Sequence, residues 1–335
     1  MILLVTHEQG GFDRCSQELA KRLKVEEYHC NRYFTPDEEK TFAKDLSHLE
    51  GWVHVTNQNF GRYCSSLRGP FIMTVHDLIR NFYDFDGESF EEKARLKLDE
   101  YFIGQATHLI SVSETTKKEI ITRLNIQEEK ITVIYNGVNH DIYVPQREKT
   151  DVGHSYVLAV GSERPRKNLK RLVQAIARLR RAGEDLVLVK VGPIGRDFSF
   201  SKSWRAEADK LKVPLITAGE VSEKELARWY RGAAVLAFPS MMEGFGLPLL
   251  EAMACGCPVV GSYTPSIVEV VGDAGILVNP EEVWDITKGL WEALSRREEL
   301  IEKGFQRAKT FSWDRAAEQT REVYRHVENY AGIEP

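Results

Sequence analysis

Short apolar runs alternate with longer amphipathic stretches along most of the chain. Runs such as Ile2–Thr6 and Phe71–Val75 are continuously apolar, which is typical of parallel strands buried on both faces. Stretches such as Asp13–Leu23 and Glu114–Leu124 have the spacing of amphipathic helices. This alternation predicts an α/β protein whose parallel strands are joined by helices.

The other predicted elements continue this pattern. Further strands are predicted over short apolar segments: Trp52–Thr56, His108–Val112, Ile131–Ile134, Tyr156–Val160, Asp185–Val191, Leu215–Val221 and Ala233–Phe238. Later apolar segments are Val259–Val260, Ser266–Val270 and Gly275–Val278. Further helices are predicted from Leu169 and over Ser222–Arg231, Leu247–Ala254, Pro280–Arg297, Glu298–Lys309 and Ser312–Tyr330. The segment 58–69 has no clear pattern, and the polar run 145–153 predicts a linker, so a first domain ends near residue 150.

The most informative stretch follows the strand Ala233–Phe238. Gly244 and Gly246 permit a tight turn, and Pro248 suits the first turn of a helix because that position needs no N–H donor. A strand, a glycine turn and a helix N-terminus in succession form an anion site, since the free amides and the helix dipole both favour negative charge.

Two carboxylates accompany this turn. Glu243 lies on the turn itself, and Glu251 lies about 7.5 Å farther along the helix axis. An ionised carboxylate accepts hydrogen bonds from vicinal hydroxyls, so a sugar near Glu243 and a ribose near Glu251 would suit a ligand whose phosphates bind the amides. Because apolar residues surround Glu251, an internal hydrogen-bond partner explains it equally well.

The segment Glu243-Gly-Phe-Gly-Leu-Pro-Leu-Leu-Glu251 resembles the Glu-x7-Glu motif of the family-4 retaining glycosyltransferases. These are two-domain enzymes of GT-B fold that use nucleotide-sugar donors. The resemblance implies that Glu243 faces the donor sugar and Glu251 the nucleotide ribose. It also implies that the amides of Phe245, Gly246 and Leu247 bind the donor's sugar and phosphates.

A second resemblance to the same family lies in Pro165-Arg-Lys-Asn-Leu169. It implies that Lys167 binds the donor diphosphate, assisted by Arg166 or Arg164. Cations on a loop between a strand and a helix are well placed for phosphate, although a solvated basic loop is the alternative. Many relatives carry an arginine directly after the glycine, where this chain has Ser162, so the arginine that completes the cation pair is left open.

Two features of the first half match the family as well. His76 follows the strand Phe71–Val75 in a His-Asp-Leu segment. On the sequence alone His76 is as compatible with a core histidine as with a functional one, but the resemblance implies a catalytic position facing the donor sugar. Asp77 is expected to support it or to cap a helix. Gly10 and Gly11 correspond to a glycine loop that the family places beside the acceptor and the donor diphosphate.

One motif is interpreted as a decoy. Asp84-Phe85-Asp86 has the form of the Asp-x-Asp metal motif of the other large glycosyltransferase fold, but it lies in a loop of a predicted two-domain protein. We therefore expect no metal site. The five cysteines are odd in number and contain no CxxC pair, which favours reduced thiols and a cytoplasmic location.

Composition excludes some functions. The net charge is −5, from 45 basic and 50 acidic residues, so there is no overall basic surface for nucleic acid. No apolar run is long enough for a membrane span, and no signal peptide is visible. A cytoplasmic protein is expected, with peripheral membrane contact left open.

These observations predict a GT-B fold of two doubly wound α/β domains facing a cleft. Residues 1–150 form the acceptor-side domain, residues 151–312 bind the nucleotide sugar, and a C-terminal helix of about 313–335 packs back on the first domain. The predicted activity is retaining, metal-independent transfer of a hexose to a glycan, lipid-linked or small-molecule acceptor. GDP-mannose is the first choice of donor and a UDP-sugar the second. The alternatives are an epimerase or phosphorylase of the same fold, or a non-catalytic nucleotide-sugar-binding protein.

Overall fold

The computed structural model describes residues 1–6, 11–30, 36–83, 88–195 and 198–330. Within it the chain forms two compact units. One contains Met1–Gly137 together with Trp313–Pro335, and the other contains Val138–Ser312. Each unit is built on its own parallel six-stranded sheet, which is the doubly wound α/β architecture that the sequence predicted.

The first unit has the strand order β2-β1-β3-β4-β5-β6. Its strands are β1 (Ile2–Thr6), β2 (Glu26–Cys30), β3 (Val53–Val55), β4 (Phe71–Val75), β5 (His108–Ser111) and β6 (Ile131–Val133). The helices are α1 (Gly11–Leu23), α2 (Pro36–Leu46), α3 (Ile79–Phe82), α4 (Phe90–Gln105) and α5 (Glu114–Leu124). The unassigned segment after β3 forms a 3₁₀ helix, Gln58–Ser66. Buried apolar side chains of the strands and helices make one core.

The second unit has the strand order β12-β11-β10-β7-β8-β9. Its strands are β7 (Ser155–Val160), β8 (Leu186–Val191), β9 (Leu215–Gly219), β10 (Val235–Phe238), β11 (Val259–Ser262) and β12 (Ile276–Val278). The helices are α6 (Leu169–Arg181), α7 (Phe198–Leu211), α8 (Glu223–Gly232), α9 (Leu247–Ala254), α10 (Pro265–Val271), α11 (Val283–Ser295) and α12 (Arg297–Lys309). The strand order reverses between β7 and β10, and in open α/β sheets ligands bind beyond the carboxyl ends of the strands at such a point.

The last helix, α13 (Trp313–Tyr330), returns to the first unit, as the fold prediction required. Arg22 of α1 donates from Nε to Asp314 at 2.7 Å, and Arg321 donates from Nη2 to the carbonyl of Arg22 at 2.5 Å. These bonds fix α13 against α1, so the first unit is assembled from both ends of the chain.

The division between the units falls at Gly137/Val138, whereas the polar run suggested an end near residue 150. Side-chain contacts explain the difference. Arg231 of α8 donates to the carbonyls of Ile142 and Val144 at 2.9 and 2.8 Å, which holds residues 138–150 on the second unit. Polarity along the chain does not reveal such contacts with a distant helix.

A buried histidine marks the centre of the first unit. The ring of His54 contacts the hydroxyls of Tyr324 on α13 and Thr74 on β4, at 2.7 and 2.8 Å. His54 is fully buried, and burial, together with the nearby His76, lowers its pKa to about 3. The neutral ring is therefore part of the folded state at all but strongly acidic pH.

Acid should destabilise the protein partly through His54. Because the folded state binds this proton less well than the unfolded chain, stability falls as the pH drops from about 6.5 towards 3, by up to a few kcal/mol. His54→Gln cannot titrate, so its free energy of unfolding should depend less on pH over that window in urea titrations. The exposed His48→Gln is the control. Equal acid sensitivity of His54→Gln and wild type would contradict the assignment.

Candidate functional site

The predicted strand–turn–helix stands in the second unit, at the reversal of strand order. β10 leads through residues 239–246 into α9. Gly246 has φ +130°, and a Cβ built there would lie 3.1 Å from Ile267 and 3.2 Å from Leu249, so both backbone and space require glycine. Among the described residues, the N–H groups of Gly246 and Leu247 have no acceptor. These two donors at a helix N-terminus can bind an anion.

The side chain of Phe245 is buried against Phe311. Its side chain is 5% exposed, and its ring lies edge-on to that of Phe311 with centroids 6.0 Å apart. The side chain therefore fixes the turn by packing, and only the main chain of Phe245 is placed to serve a ligand.

Glu243 forms the centre of an ion cluster. One carboxylate oxygen accepts from Lys167 Nζ at 2.6 Å and the other from Arg166 Nη1 at 2.7 Å. Arg166 Nη1 also donates to the carbonyl of Met242 at 3.0 Å. The three charged side chains are only 11–15% exposed. Residues 76 positions apart in sequence are thus brought together at the carboxyl ends of β7 and β10.

Burial and charge together set the ionisation of this cluster. Burial alone would raise the pKa of Glu243, but Arg166 and Lys167 outweigh it and hold the pKa at about 2. Burial, with the neighbouring Arg166 and Arg164, lowers the pKa of Lys167 to about 8 despite the attraction of Glu243. Near neutral pH all three residues are therefore ionised. An additional negative charge, such as that of a phosphate, would stabilise the protonated form of Lys167.

Residues 161–168, between β7 and α6, carry Arg164, Arg166 and Lys167 and are called the cation loop here. Asn168 joins this loop to two other loops by hydrogen bonds. This residue has the left-handed conformation, φ +60°, and its Nδ2 donates to the carbonyls of Pro239 and Pro280 at 3.0 and 2.6 Å. Met241 N–H also donates to the carbonyl of Arg166 at 2.8 Å. Sequence reasoning noted Asn168 only as part of a motif, because its partners lie in segments that follow β10 and β12.

Of the two arginines that the sequence left open, Arg166 reaches Glu243. Arg164 is half-buried, and its charge contributes to lowering the pKa of Lys167, so it also lies near the cluster. Ser162, at the position where many relatives carry arginine, lines a small cavity with Gly161, Lys167 and Ser240.

Glu251 has an internal partner. It is 3% exposed, and its Oε2 accepts a hydrogen bond from the hydroxyl of Tyr230 on α8 at 2.8 Å. Tyr230 is itself fully buried. The sequence offered no signal for this pair, since the tyrosine belongs to another helix. An ionised carboxylate accepts about four hydrogen bonds, so the tyrosine does not exclude a ligand at the same group.

His76 stands at the carboxyl end of β4 in the first unit. It is 2% exposed, and its Nε2 donates to the carbonyl of Thr56 at 2.9 Å. Gln58 braces the segment by accepting from His76 N–H at 3.1 Å and donating to the carbonyl of Asp77 at 2.9 Å. Burial lowers the pKa of His76, so the ring is neutral and its orientation is fixed.

The side chain of Asp77 binds the start of α3. Its Oδ1 accepts from the N–H of Ile79 at 3.0 Å, while the N-cap residue of that helix is Leu78, which has no side-chain cap. The bond fixes the turn between His76 and α3. Thr56, Thr74, Asn136 and His76 are among the residues that line a cavity in this unit.

Some predicted features lie outside the described residues. These are Gly10 of the glycine loop and the motif Asp84-Phe85-Asp86, while Gly11 is the first residue of α1. In the part of the chain that the structure describes, no group of three histidine, cysteine or carboxylate side chains could hold a metal ion. Cys255 and Cys257 are buried thiols, and burial raises the pKa of each to about 12. None of the described helices is long and apolar enough to cross a bilayer.

Comparison with known proteins adds an independent line of evidence. Residues 144–308 match the family model "Glycosyl transferases group 1", and residues 52–142 match "Glycosyltransferase Family 4". O-antigen chain mannosyltransferase B of Escherichia coli is 31% identical over 283 residues, which cover 77% of this chain and 73% of that protein. Other curated relatives are matched over as little as 57% of their own length.

Solved structures resemble the chain over nearly its whole length. Sucrose-phosphate synthase from Thermosynechococcus elongatus has a TM-score of 0.81 at 20% identity, covering 98% of this chain and 99% of that one. Anabaena Alr3699/HepE, in complex with UDP and glucose, has a TM-score of 0.78 at 16% identity, covering 97% and 100%. At these identities the likeness concerns the fold.

Proposed function

The chain belongs to the family-4 glycosyltransferases, the group-1 glycosyl transferases of GT-B fold, and we propose that it transfers a hexose from a nucleotide-diphosphate sugar. The observation that carries this proposal is the cluster of Glu243, Arg166 and Lys167. Its two cations follow β7 and the amides of Gly246 and Leu247 follow β10, the two strands between which the strand order reverses and where α/β sheets bind ligands.

The donor diphosphate would bind at this cluster. Arg166 and Lys167 already hold an anion, the carboxylate of Glu243, at 2.7 and 2.6 Å. Phosphate oxygens accept the same charge-assisted hydrogen bonds, and the two amides add further donors. The donor phosphates would then compete with Glu243 for hydrogen bonds from Arg166 and Lys167. A carboxylate oxygen that loses such a bond can accept one from a hydroxyl of the sugar.

The chemistry asks the protein to stabilise a leaving group. When the bond between the anomeric carbon and the phosphate oxygen breaks, its electron pair remains on the diphosphate, and Lys167 and Arg166 would stabilise that charge. Preorganised groups of this kind contribute about 10²–10³ in rate each. Because these cations can neutralise the diphosphate, we propose that the reaction needs no metal ion.

The remaining roles follow the family resemblance. Glu243 and His76 are proposed to orient the transferred sugar, Glu251 to bind the ribose, and the glycine loop at Gly10 and Gly11 to meet the acceptor. His76 would do so as a neutral ring, held by its bond to Thr56. Retention of configuration rests on the resemblance. The second unit is accordingly the donor-binding domain and the first the acceptor side.

The donor is proposed to be GDP-mannose. The relative from Escherichia coli is called a mannosyltransferase, which favours mannose, while the Anabaena structure contains UDP and glucose, which keeps a UDP-sugar as the second choice. The acceptor is proposed to be a glycan or a lipid-linked sugar of glycan biosynthesis. A lipid-linked acceptor would bring the protein into peripheral contact with a membrane.

A panel of GDP-mannose, UDP-glucose and related donors, each with EDTA, tests the proposal. We expect one nucleotide sugar to raise the melting temperature, and its nucleoside diphosphate to be released when a sugar acceptor is present, because ligand binding stabilises the native state. Activity that dies with EDTA, returns with Mn²⁺ and is lost in Asp84→Ala would contradict metal independence. Stabilisation without turnover would indicate a binding protein, and conversion without an acceptor would indicate an epimerase or phosphorylase.

A further inference from the structure

A lysine is buried inside the sheet of the donor-binding unit. Lys190 belongs to β8, an interior strand, and is 2% exposed. Lysine is almost never buried so completely unless it is paired. Its Nζ donates to the carbonyls of Val191 and Gly192 at 3.1 and 3.2 Å. An ammonium has three N–H donors, so these carbonyls leave one.

Among the described residues, no carboxylate lies within ion-pair distance of the Lys190 ammonium. Glu163 is near enough to attract it, but Arg205 binds both oxygens of that carboxylate at 2.6 Å, and Trp204 Nε1 donates to it at 3.1 Å. Arg205 therefore balances the charge of Glu163. The positive charge of Lys190 is not compensated by a carboxylate of its own among the described residues.

The surroundings of Lys190 suit an anion. Lys190 and Lys167 line the same small cavity, together with Gly161, Ser162 and Ser240. Ser240 is 1% exposed, and its hydroxyl helps to stabilise the ionised carboxylate of Glu243. Two ammonium groups around one cavity form an electropositive site behind Lys167.

Lys190 also braces the loop that carries the cations. It holds the turn at Val191 and Gly192, and the carbonyl of Val191 accepts from Gly161 N–H at 3.0 Å. A Cβ on Gly192 would lie 2.5 Å from the carbonyl oxygen of Gly161, so the two turns pack backbone to backbone. Through this contact the position of Lys190 fixes the start of the loop that ends at Lys167.

We propose that Lys190 is a positioning residue of the donor's diphosphate site, which attracts the phosphates at Lys167 with its buried charge and fixes the turn beside them. This inference rests on the proposed function, because it requires a diphosphate at Lys167. Charges interact more strongly across a protein interior than through water, so Lys190 need not touch the ligand.

The buried charge also has a consequence for stability. An ammonium without a carboxylate partner is costly to bury, and a site that keeps one does so at the expense of stability. Burial lowers the pKa of Lys190 to about 8, which agrees with that cost but leaves the group charged near neutral pH. Removing the charge should therefore weaken diphosphate binding without weakening the fold, a combination that a purely structural lysine would not produce.

Three substitutions separate charge from bracing. Lys190→Met removes both the charge and the hydrogen bonds, Lys190→Gln removes the charge but can still donate to the turn, and Lys190→Arg keeps the charge. Calorimetry would measure GDP and UDP against guanosine and uridine. We expect Lys190→Gln to bind the preferred nucleoside diphosphate roughly tenfold more weakly, with nucleoside binding unchanged and the melting temperature no lower than wild type. Lys190→Met should bind the diphosphate at least as weakly, because it also loses the bonds to the turn, and Lys190→Arg should retain most of the affinity.

Matched controls keep the outcomes distinct. Lys170→Met, at an exposed position of α6, should change nothing, and Lys167→Met should weaken diphosphate binding. The inference is overturned if the neutral Lys190 variants bind diphosphate like wild type, or if in Lys190→Gln diphosphate and nucleoside binding fall together with the melting temperature. In both cases a wild type that binds diphosphate through Lys167 leaves the proposed function intact. A folded wild type that binds neither diphosphate overturns the proposed function and this inference with it.

Discussion

Lys167→Met should reduce kcat/KM for the donor by about 10²-fold or more, while the protein remains folded. The ammonium lies 2.6 Å from Glu243 and is the point charge best placed for a phosphate. Binding of the nucleoside diphosphate should weaken with the same substitution, whereas binding of the bare nucleoside should hardly change. Calorimetry with both ligands, beside donor kinetics, measures the effect.

The pH dependence provides a second measurement on the same residue. Only the protonated lysine attracts phosphate, so diphosphate affinity should fall as the pH rises through about 8, where Lys167 and Lys190 lose their protons. Glu243, with a pKa of about 2, stays ionised throughout. Lys167→Met should make the profile shallower, and the remaining pH dependence should come from Lys190. Wild-type diphosphate affinity in Lys167→Met would leave Arg164 and Arg166 as the residues to test.

Glu251→Gln should lower kcat/KM for the donor roughly 10- to 150-fold with little change in melting temperature. A charge-assisted hydrogen bond to a ribose is worth about 1.5–3 kcal/mol, and glutamine keeps the shape and one acceptor oxygen. The structure sharpens this comparison because the internal partner is now identified as Tyr230, 2.8 Å away.

Tyr230→Phe is the matched variant for Glu251. It removes the internal hydroxyl and keeps the ring, so it should lower the melting temperature and leave donor affinity nearly unchanged. If Glu251→Gln instead melts far below wild type and binds the nucleotide normally, the carboxylate is structural and does not belong to the site.

The strands were the part of the fold most readily predicted. β1 and β4 were placed residue for residue, because each is a continuous apolar run buried on both faces. β2 was missed, since Glu26–Cys30 lies at the edge of the sheet, where it pairs with β1 alone among the described strands and needs no apolar pattern. The helix α4 was also missed, because it buries few apolar residues and exposes others such as Phe90.

The sequence singled out residues of the candidate site, but it did not indicate which of their side chains contact each other. The motifs singled out Glu243 and Lys167, yet nothing local indicates that these side chains bind each other across 76 positions. The sequence analysis included Lys190 only as one residue of a strand. A lysine within the apolar run Leu-Val-Leu-Val-Lys-Val nevertheless indicates a buried charge. Partners set by tertiary packing, such as Tyr230 for Glu251, have no such signal.

The hydrogen bonds of Asn168 to Pro239 and Pro280 connect ligand binding with the order in which the second unit folds. Its two hydrogen bonds join it to residues 71 and 112 positions farther along the chain. Closing such long loops is entropically costly, so contacts of this kind tend to form late. The cation loop therefore reaches its final shape only after the segments following β10 and β12 are in place. During synthesis, the second unit would therefore begin to bind nucleotide only late in its folding.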